Sequence, residues 1–197
     1  KLFALRQCIS KYKNDSNMLI YCGAVKYGQY GYNSNHDKKQ IDEVLKMLNI
    51  DLGIYSCKFT SEEDYDERNR ILTLFKNNDI QALVAIKCLD EGMNIPAIKR
   101  AFILASSTNP KEYIQRRGRV LRLSEGKEYA EIYDFVTTPI PVEGVASQNK
   151  FNDRINKNFV KRELDRVRDF AKLSNNPSDS NDIINKIDDL LNRWLHE

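Results

Sequence analysis

Four arginines crowd into the ten residues YIQRRGRVLR at positions 113–122. Guanidinium groups held this close repel one another until an anion arrives, and their planar forks suit phosphate oxygens. At 100° per residue, a helix over 111–122 places Gln115, Arg119 and Arg122 on one face. The alternative is a solvated basic face with scattered salt bridges. Because the cluster follows an apolar strand and Pro110, we expect the core to position it, which favours anion recognition.

The positive charge of this chain is local. The 197 residues carry a formal net charge of only +3, but the stretch 99–122 holds seven Lys and Arg residues against a single carboxylate, Glu112. A polyanion is held by such a local concentration of cations and not by a weakly positive average. With 41% hydrophobic and 30% charged residues, the composition is that of a globular domain with an appendage.

Cysteine spacing and hydropathy bear on the compartment. Cys8, Cys22, Cys57 and Cys88 form no CxxC pair and have no adjacent histidine, which favours a reduced, cytoplasmic protein over a disulfide or zinc framework. We therefore expect no metal site. The apolar runs are too short to cross a bilayer, so no membrane partner is expected. Since the chain opens at Lys1 without Met or a leader, we expect it to be a piece of a longer protein.

Apolar runs of strand length alternate with helical patterns as far as residue 136. Continuous apolar strands that alternate with helices predict a parallel α/β sheet covered on both faces, with ligands bound at the carboxyl ends of the strands. A helix is expected to start at the capping-box sequence 60–63, TSEE. The predicted strands are Met18–Val25, Gly53–Phe59, Ala82–Lys87, Arg100–Ala105 and Tyr129–Val136.

Two segments depart from this alternation. Residues 26–39, with two glycines and three tyrosines, are interpreted as a surface loop, and stacking on nucleic-acid bases is the alternative. From Ser147 onwards, two amphipathic patterns joined by SNNPSDSND predict an α-helical hairpin. The hairpin either packs on the main domain or docks a partner domain. We therefore divide the chain into 1–146 and a helical extension, 147–197.

A family resemblance rests on three of these segments. ALVAIKCLDEGMNIP at 82–96 and YIQRRGRVLR at 113–122, separated by the strand AFILA, resemble motifs V and VI of superfamily 2 helicases and translocases. NMLIYC at 17–22 resembles their motif IV. The resemblance covers roughly residues 18–136, and its wording is most similar to type III restriction-like helicases of the DEAD/DEAH type. It implies the second, carboxyl-terminal of two RecA-like domains, with the parallel sheet of P-loop NTPases.

The resemblance assigns roles to the arginine cluster. Motif VI supplies arginine fingers to an ATP that the first RecA-like domain holds, so Arg119 and Arg122 would reach the γ-phosphate. Gln115 would link to the motifs of the neighbouring domain. An arginine finger contributes on the order of 10³ to 10⁵ in the rate of nucleotide hydrolysis.

Motif V suggests nucleotide and nucleic-acid contacts, with two departures from the common pattern. Asn94 stands where many relatives have Asp, so a weakened contact with the ribose is implied. Gly92 permits the close turn that such a contact needs. Ile86 replaces a Thr that touches the nucleic-acid backbone, which would leave that contact to Lys87 or a backbone amide. Glu91 is assigned to the nucleotide, with an ordinary helix cap as the alternative.

Two further residues are candidates for the nucleic-acid track. Thr60, at a strand's carboxyl end and a helix's amino end, is placed to offer a hydroxyl and amides to a backbone phosphate. Pure capping is the alternative. Arg68, which lies seven residues before Phe75 as in the helix ahead of motif V, either touches nucleic acid or braces that region.

The sequence lacks the other half of a nucleotide site. No GxxxxGK[ST] loop occurs, and no strand ends in paired carboxylates suited to Mg²⁺. We therefore expect the second motor domain of a helicase or translocase, inactive alone and binding no cofactor by itself. The whole protein would use ATP and Mg²⁺, and its partners would be its own N-terminal RecA-like domain and nucleic acid, expected to be double-stranded DNA. The alternative is a non-catalytic nucleic-acid or protein-binding module that retains the fold.

Overall fold

The computed structural model shows a five-stranded sheet with helices. It describes residues 1–23, 40–86, 95, 98–105, 114, 117–118, 120–122, 127–138 and 153–195. The strands are β1 (Met18–Tyr21), β2 (Ser56–Phe59), β3 (Ala82–Ala85), β4 (Arg100–Ile103) and β5 (Glu131–Asp134). The helices are α1 (Leu2–Ile9), α2 (Gln40–Lys46), α3 (Tyr65–Lys76), α4 (Asp153–Ala171) and α5 (Pro177–Leu195), with a 3₁₀ turn at Ser10–Tyr12 and a π-helical turn at Met47–Leu52.

All five strands are parallel, in the order β2-β3-β1-β4-β5. Met18 pairs with Ala82 on one side and with Arg100 on the other, so the strands begin in register. The predicted strands and the α/β class are therefore confirmed. The central strands β1 and β3 are buried at every residue, as expected of apolar runs covered on both faces.

Alternate residues of the strands enter two separate cores. Met18, Ile20, Val84 and Phe102 belong to one cluster together with residues of α1 and α2. Leu19, Tyr21, Leu83 and Ala101 belong to the other, with residues of α3 and with Val120. Because successive side chains of a strand point to opposite faces, helices cover the sheet on both sides.

The amino-terminal edge of the sheet carries a polar network. Arg100, the first residue of β4, lies with Nη1 2.7 Å from Asp15 and donates from Nε to Glu131 at 3.1 Å. The hydroxyls of Tyr12 and Tyr133 both donate to Glu131, at 2.7 and 3.1 Å, and contact each other. These contacts fasten the segment after α1 to β4 and β5.

Predicted boundaries were less accurate: each of the five strands is shorter than predicted, and three boundaries have a local cause. Gly53 is not a strand residue, because it takes a left-handed φ of +64° as the cap that ends the π-helical turn, and β2 begins at Ser56. The helix expected at 60–63 begins only at Tyr65, because Asp64 is its N-cap and accepts from the Glu67 N–H at 2.8 Å. Six of the nine residues of the expected linker SNNPSDSND are helical, because Pro177 starts α5, where a missing N–H costs nothing.

The chain divides into two compact units, Lys1–Phe135 and Val136–Glu197. In the second unit α4 and α5 pack through Val160, Leu164, Ile187 and Leu190, so the predicted helical hairpin is present. Its core holds a buried ion pair between Glu163 and Arg166 on α4, and Glu163 also accepts from the Thr137 N–H at 3.1 Å. The predicted boundary at residue 146 lies outside the described residues and stays a prediction.

Candidate functional site

The carboxyl ends of the strands form the edge where a parallel sheet binds ligands. At the end of β1, the Gly23 N–H donates to the side-chain oxygen of the buried Gln40 at 2.9 Å, which joins that strand to the start of α2. At the end of β4, the ammonium of Lys1 donates to the Leu104 carbonyl at 2.8 Å. Local side-chain contacts therefore fix the backbone at this edge.

Thr60 directly follows β2 at the same edge and is 4% exposed. Its hydroxyl donates to the Glu63 carboxylate at 2.9 Å and accepts from the Glu62 N–H at 3.2 Å, while its own N–H also donates to Glu63. These are reciprocal capping contacts, and they close a turn ahead of α3. A phosphate would have to replace Glu63 as the acceptor, so contact between Thr60 and nucleic acid stays a prediction.

Arg68 lies one turn into α3, where its N–H donates to the Asp64 carbonyl at 3.0 Å, and it is half-buried. Beside this helix, the pKa of the Cys57 thiol is raised by burial and by the charge of Glu67, although Arg70 opposes the shift. This half-buried thiol therefore stays protonated near neutral pH. The role of Arg68, contact or brace, stays a prediction.

The arginine segment, residues 113–122, is helical at Ile114, Arg117, Gly118 and Val120, and the helix ends before Leu121. The Leu121 N–H closes the last turn by donating to the Arg117 carbonyl at 2.9 Å. Val120 is 2% exposed and belongs to the core cluster on the α3 side of the sheet. Two residues later, Arg122 is exposed. The core thus holds the backbone directly before this arginine.

A lysine that the sequence did not single out caps this helical end. The Lys127 ammonium donates to the Val120 carbonyl at 2.5 Å and to the Arg122 carbonyl at 3.0 Å. Helix ends leave carbonyls without intrahelical partners, and a cation there is favoured by the helix dipole. Burial lowers the pKa of Lys127. A lysine a few residues beyond a helix is a weak signal, because spacing alone does not say where its ammonium lies.

Six of the predicted site residues lie outside the described residues, so their roles stay predictions: Lys87, Glu91, Gly92, Asn94, Gln115 and Arg119. Within the described part of the chain, no group of three or more His, Cys, Asp or Glu side chains is placed to hold a metal ion. None of the helices described combines the length and apolar character that a membrane span requires.

Comparison with known proteins defines the class. Residues 1–124 match the model of the family described as helicase conserved C-terminal domain. With the parallel sheet and the segments that resemble motifs IV, V and VI, the chain belongs to this family as the C-terminal domain of a superfamily 2 helicase.

Similar curated proteins are helicases and translocases. The chain is 30% identical over 100 residues to the putative ATP-dependent helicase IRC3 of Saccharomyces cerevisiae, covering 51% of the chain and 14% of IRC3. It is 25% identical over 122 residues to the DNA 3'-5' translocase XPB2 of Sulfurisphaera tokodaii, covering 62% of the chain and 23% of XPB2. The chain thus spans less than a quarter of the length of either relative.

Solved structures share the fold. The yeast DEAD-box splicing factor Prp28 superposes with a TM-score of 0.56 at 18% identity, over 95% of this chain and 34% of Prp28. A DEAD box protein from Methanococcus jannaschii gives 0.51 at 22% identity, over 68% of this chain and 32% of that protein. These likenesses confirm the predicted RecA-like architecture.

Proposed function

We propose that this chain is the second motor domain of an ATP-driven helicase or translocase and supplies arginine fingers, Arg119 and Arg122, to an ATP held mainly by an N-terminal RecA-like domain. Gln115 links the two domains, and the nucleotide also meets Glu91, Gly92 and Asn94. ATP and Mg²⁺ are cofactors of the whole protein, and the fragment alone is inactive.

The observation that carries this proposal is the exposure of Arg122 directly after a helical turn whose Val120 is buried in the core. A finger must be exposed to reach a phosphate in another domain, and its backbone must be rigid to reach the same place in every cycle. Arg122 also lies inside the region that matches the family. Exposure and a fixed backbone are the two properties that the role requires.

We further propose double-stranded DNA as the track, touched by Thr60, Arg68 and Lys87. The name of the relative XPB2 specifies DNA, whereas others, such as CshA of Limosilactobacillus reuteri, are named RNA helicases. The wording of motifs V and VI supports a motor of the restriction-modification type, and the spacing of the four cysteines supports a reduced, cytoplasmic protein. We expect duplex DNA, but not RNA of the same length, to stimulate ATP turnover by the full-length protein. The reverse preference would refute the DNA assignment.

The finger role is tested in the full-length protein with Arg122→Ala. We expect ATP turnover to fall by about 10³-fold or more, because the variant lacks the cation that stabilises the negative charge developing on the phosphoryl group in the transition state. Duplex affinity and the unfolding temperature should stay close to those of the wild type. Arg162→Ala, which removes an exposed arginine of α4, is the matched control and should keep full turnover.

Wild-type turnover in the Arg122→Ala variant would refute the role of this arginine. The competing idea, a binding module that merely retains the fold, makes a separate prediction about the parent gene. It requires that no GxxxxGK[ST] loop be encoded upstream of Lys1, whereas a motor requires one.

A further inference from the structure

Lys127 makes two contacts at the end of the arginine segment that the proposed function does not explain. Its ammonium donates to the Val120 carbonyl and to the Arg122 carbonyl, at 2.5 and 3.0 Å. These two oxygens belong to the peptide units on either side of Leu121 and Arg122. One ammonium therefore holds both ends of the stretch that carries the predicted finger.

The anchor at the Val120 end is rigid. Val120 is 2% exposed in the core, and the next N–H, that of Leu121, closes the helix on the Arg117 carbonyl at 2.9 Å. Leu121 and Arg122, by contrast, are exposed and lie beyond the helical residues. The two Lys127 contacts restrict the backbone dihedrals of this pair, and fixing a residue's backbone costs about 1–2 kcal/mol.

Lys127 is also the right kind of group for this position. Lys127 is half-buried, so its ammonium is less hydrated than that of an ordinary surface lysine, and this burial lowers its pKa. The carbonyls at a helix end carry the negative pole of the helix dipole and compensate for that loss. An ammonium has three donors, and two of them are used here.

We propose that Lys127 is a positioning residue: by joining the Val120 and Arg122 carbonyls, it fixes the direction in which the Arg122 side chain leaves the backbone and points it at the nucleotide. The inference rests on the proposed function of Arg122. A displacement of a catalytic group by about 1 Å can cost on the order of 10²-fold in rate. A contact that restrains the backbone of only two residues can therefore change the rate of hydrolysis.

The test is a double-mutant cycle in the full-length protein, with Lys127→Met and Arg122→Ala separately and together. Methionine keeps the length of the side chain and removes its donors. We expect Lys127→Met to lower kcat for ATP by about 10- to 100-fold, with KM for ATP changed by less than about twofold. The double variant should turn over no more slowly than Arg122→Ala alone, because a positioning residue has nothing to position once the finger is gone.

Two further variants separate positioning from general stability. Lys127→Arg keeps a charged donor and should recover part of kcat. Lys76→Met, which removes an exposed lysine from the last turn of α3, should leave kcat unchanged. If Lys127→Met does not fold, Lys127→Gln, which keeps a neutral donor, replaces it in the same cycle with a smaller expected loss.

The outcomes are distinguishable. If Arg122→Ala turns over like the wild type, the proposed finger fails, and this inference fails with it. If Arg122→Ala is inactive but the Lys127 variants keep kcat within about twofold of wild type, only the positioning role is refuted. It is also refuted if Lys127→Met lowers kcat by the same factor with and without Arg122, because independent effects multiply.

Discussion

Arg100 and Arg122 are the same residue type, but they lie in two regions that give them opposite environments. At the amino-terminal edge of the sheet, the side chain of Arg100 is 18% exposed, lies between Asp15 and Glu131, and stacks 4.0 Å above the Tyr12 ring. At the end of the arginine segment, Arg122 is exposed, and its carbonyl accepts from the Lys127 ammonium at 3.0 Å.

The difference separates a cation enclosed between two carboxylates from one that is exposed to solvent. Two carboxylates use the charge of Arg100 inside the fold, so its effect is on stability. Arg122 is instead an exposed residue whose carbonyl accepts from Lys127. If this distinction is right, removing the partner of an enclosed ion should lower the free energy of unfolding without changing ATP turnover. The loss should be larger the more deeply the ion is buried.

The largest effect on stability is expected at the most deeply buried pair, Glu163–Arg166 in the second unit. Glu163→Ala leaves the Arg166 guanidinium buried without this carboxylate and leaves the Thr137 N–H without its acceptor. We expect a loss of about 3–5 kcal/mol in the free energy of unfolding, measured by chemical denaturation. Asp165→Ala, at an exposed position of the same helix, is the control. A loss no larger than the control's would show that burial does not set the cost.

The next effect is expected at the amino-terminal edge. Glu131→Ala removes the acceptor shared by Arg100 and two tyrosine hydroxyls. We expect a loss of about 1.5–3 kcal/mol in stability, the range for hydrogen bonds to charged groups, with ATP turnover per folded molecule unchanged. Reduced turnover in the folded variant would break the distinction between the two regions.

The same carboxylate should make stability depend on pH. Burial raises the pKa of Glu131, but hydrogen bonds from Tyr12 and Tyr133 and the charge of Arg100 outweigh it and hold the pKa below the usual value. Its contribution is therefore present above the unfolded pKa of about 4.3 and is lost as the pH falls through the folded value. The stability difference between wild type and Glu131→Gln should shrink below about pH 4. A difference that grows on acidification would contradict this.

The smallest effect is expected within the arginine segment. Gly118 is helical, and a Cβ added there would meet no atom within 4 Å. Gly118→Ala should therefore stabilise the fold by about 0.5–1 kcal/mol in denaturant unfolding, because alanine loses less backbone entropy in a helix. Destabilisation would mean that the turn before Arg122 depends on glycine.

The sheet could be predicted because β1 and β3 are continuous apolar runs of strand length, a pattern typical of a parallel sheet that is covered on both faces. The ends of the helices and strands were predicted less accurately, because each depends on the conformation of a single residue. Gly53 ends a helical turn through its left-handed φ, and Asp64 starts α3 as its N-cap. Composition and periodicity do not say which of several capping residues a helix uses.

The candidate site was predictable only in its residue types. A dense arginine cluster after a strand points to an anion without any structure. The contacts that support Arg122 depend on the path of the backbone between Val120 and Lys127, which spacing does not determine. The Tyr12–Glu131 hydrogen bond likewise joins residues that are 119 positions apart, and no local pattern indicates such a pair.

The central claim is that Arg122 acts on the transition state of ATP hydrolysis. The direct measurement is calorimetric binding of ADP alone and of ADP with aluminium fluoride, a mimic of the transferred phosphoryl group, to the full-length protein and its Arg122→Ala variant. We expect the variant to bind the mimic at least about 10²-fold more weakly while its affinity for ADP changes by less than about twofold. Equal loss for both ligands, or none for either, would contradict the account.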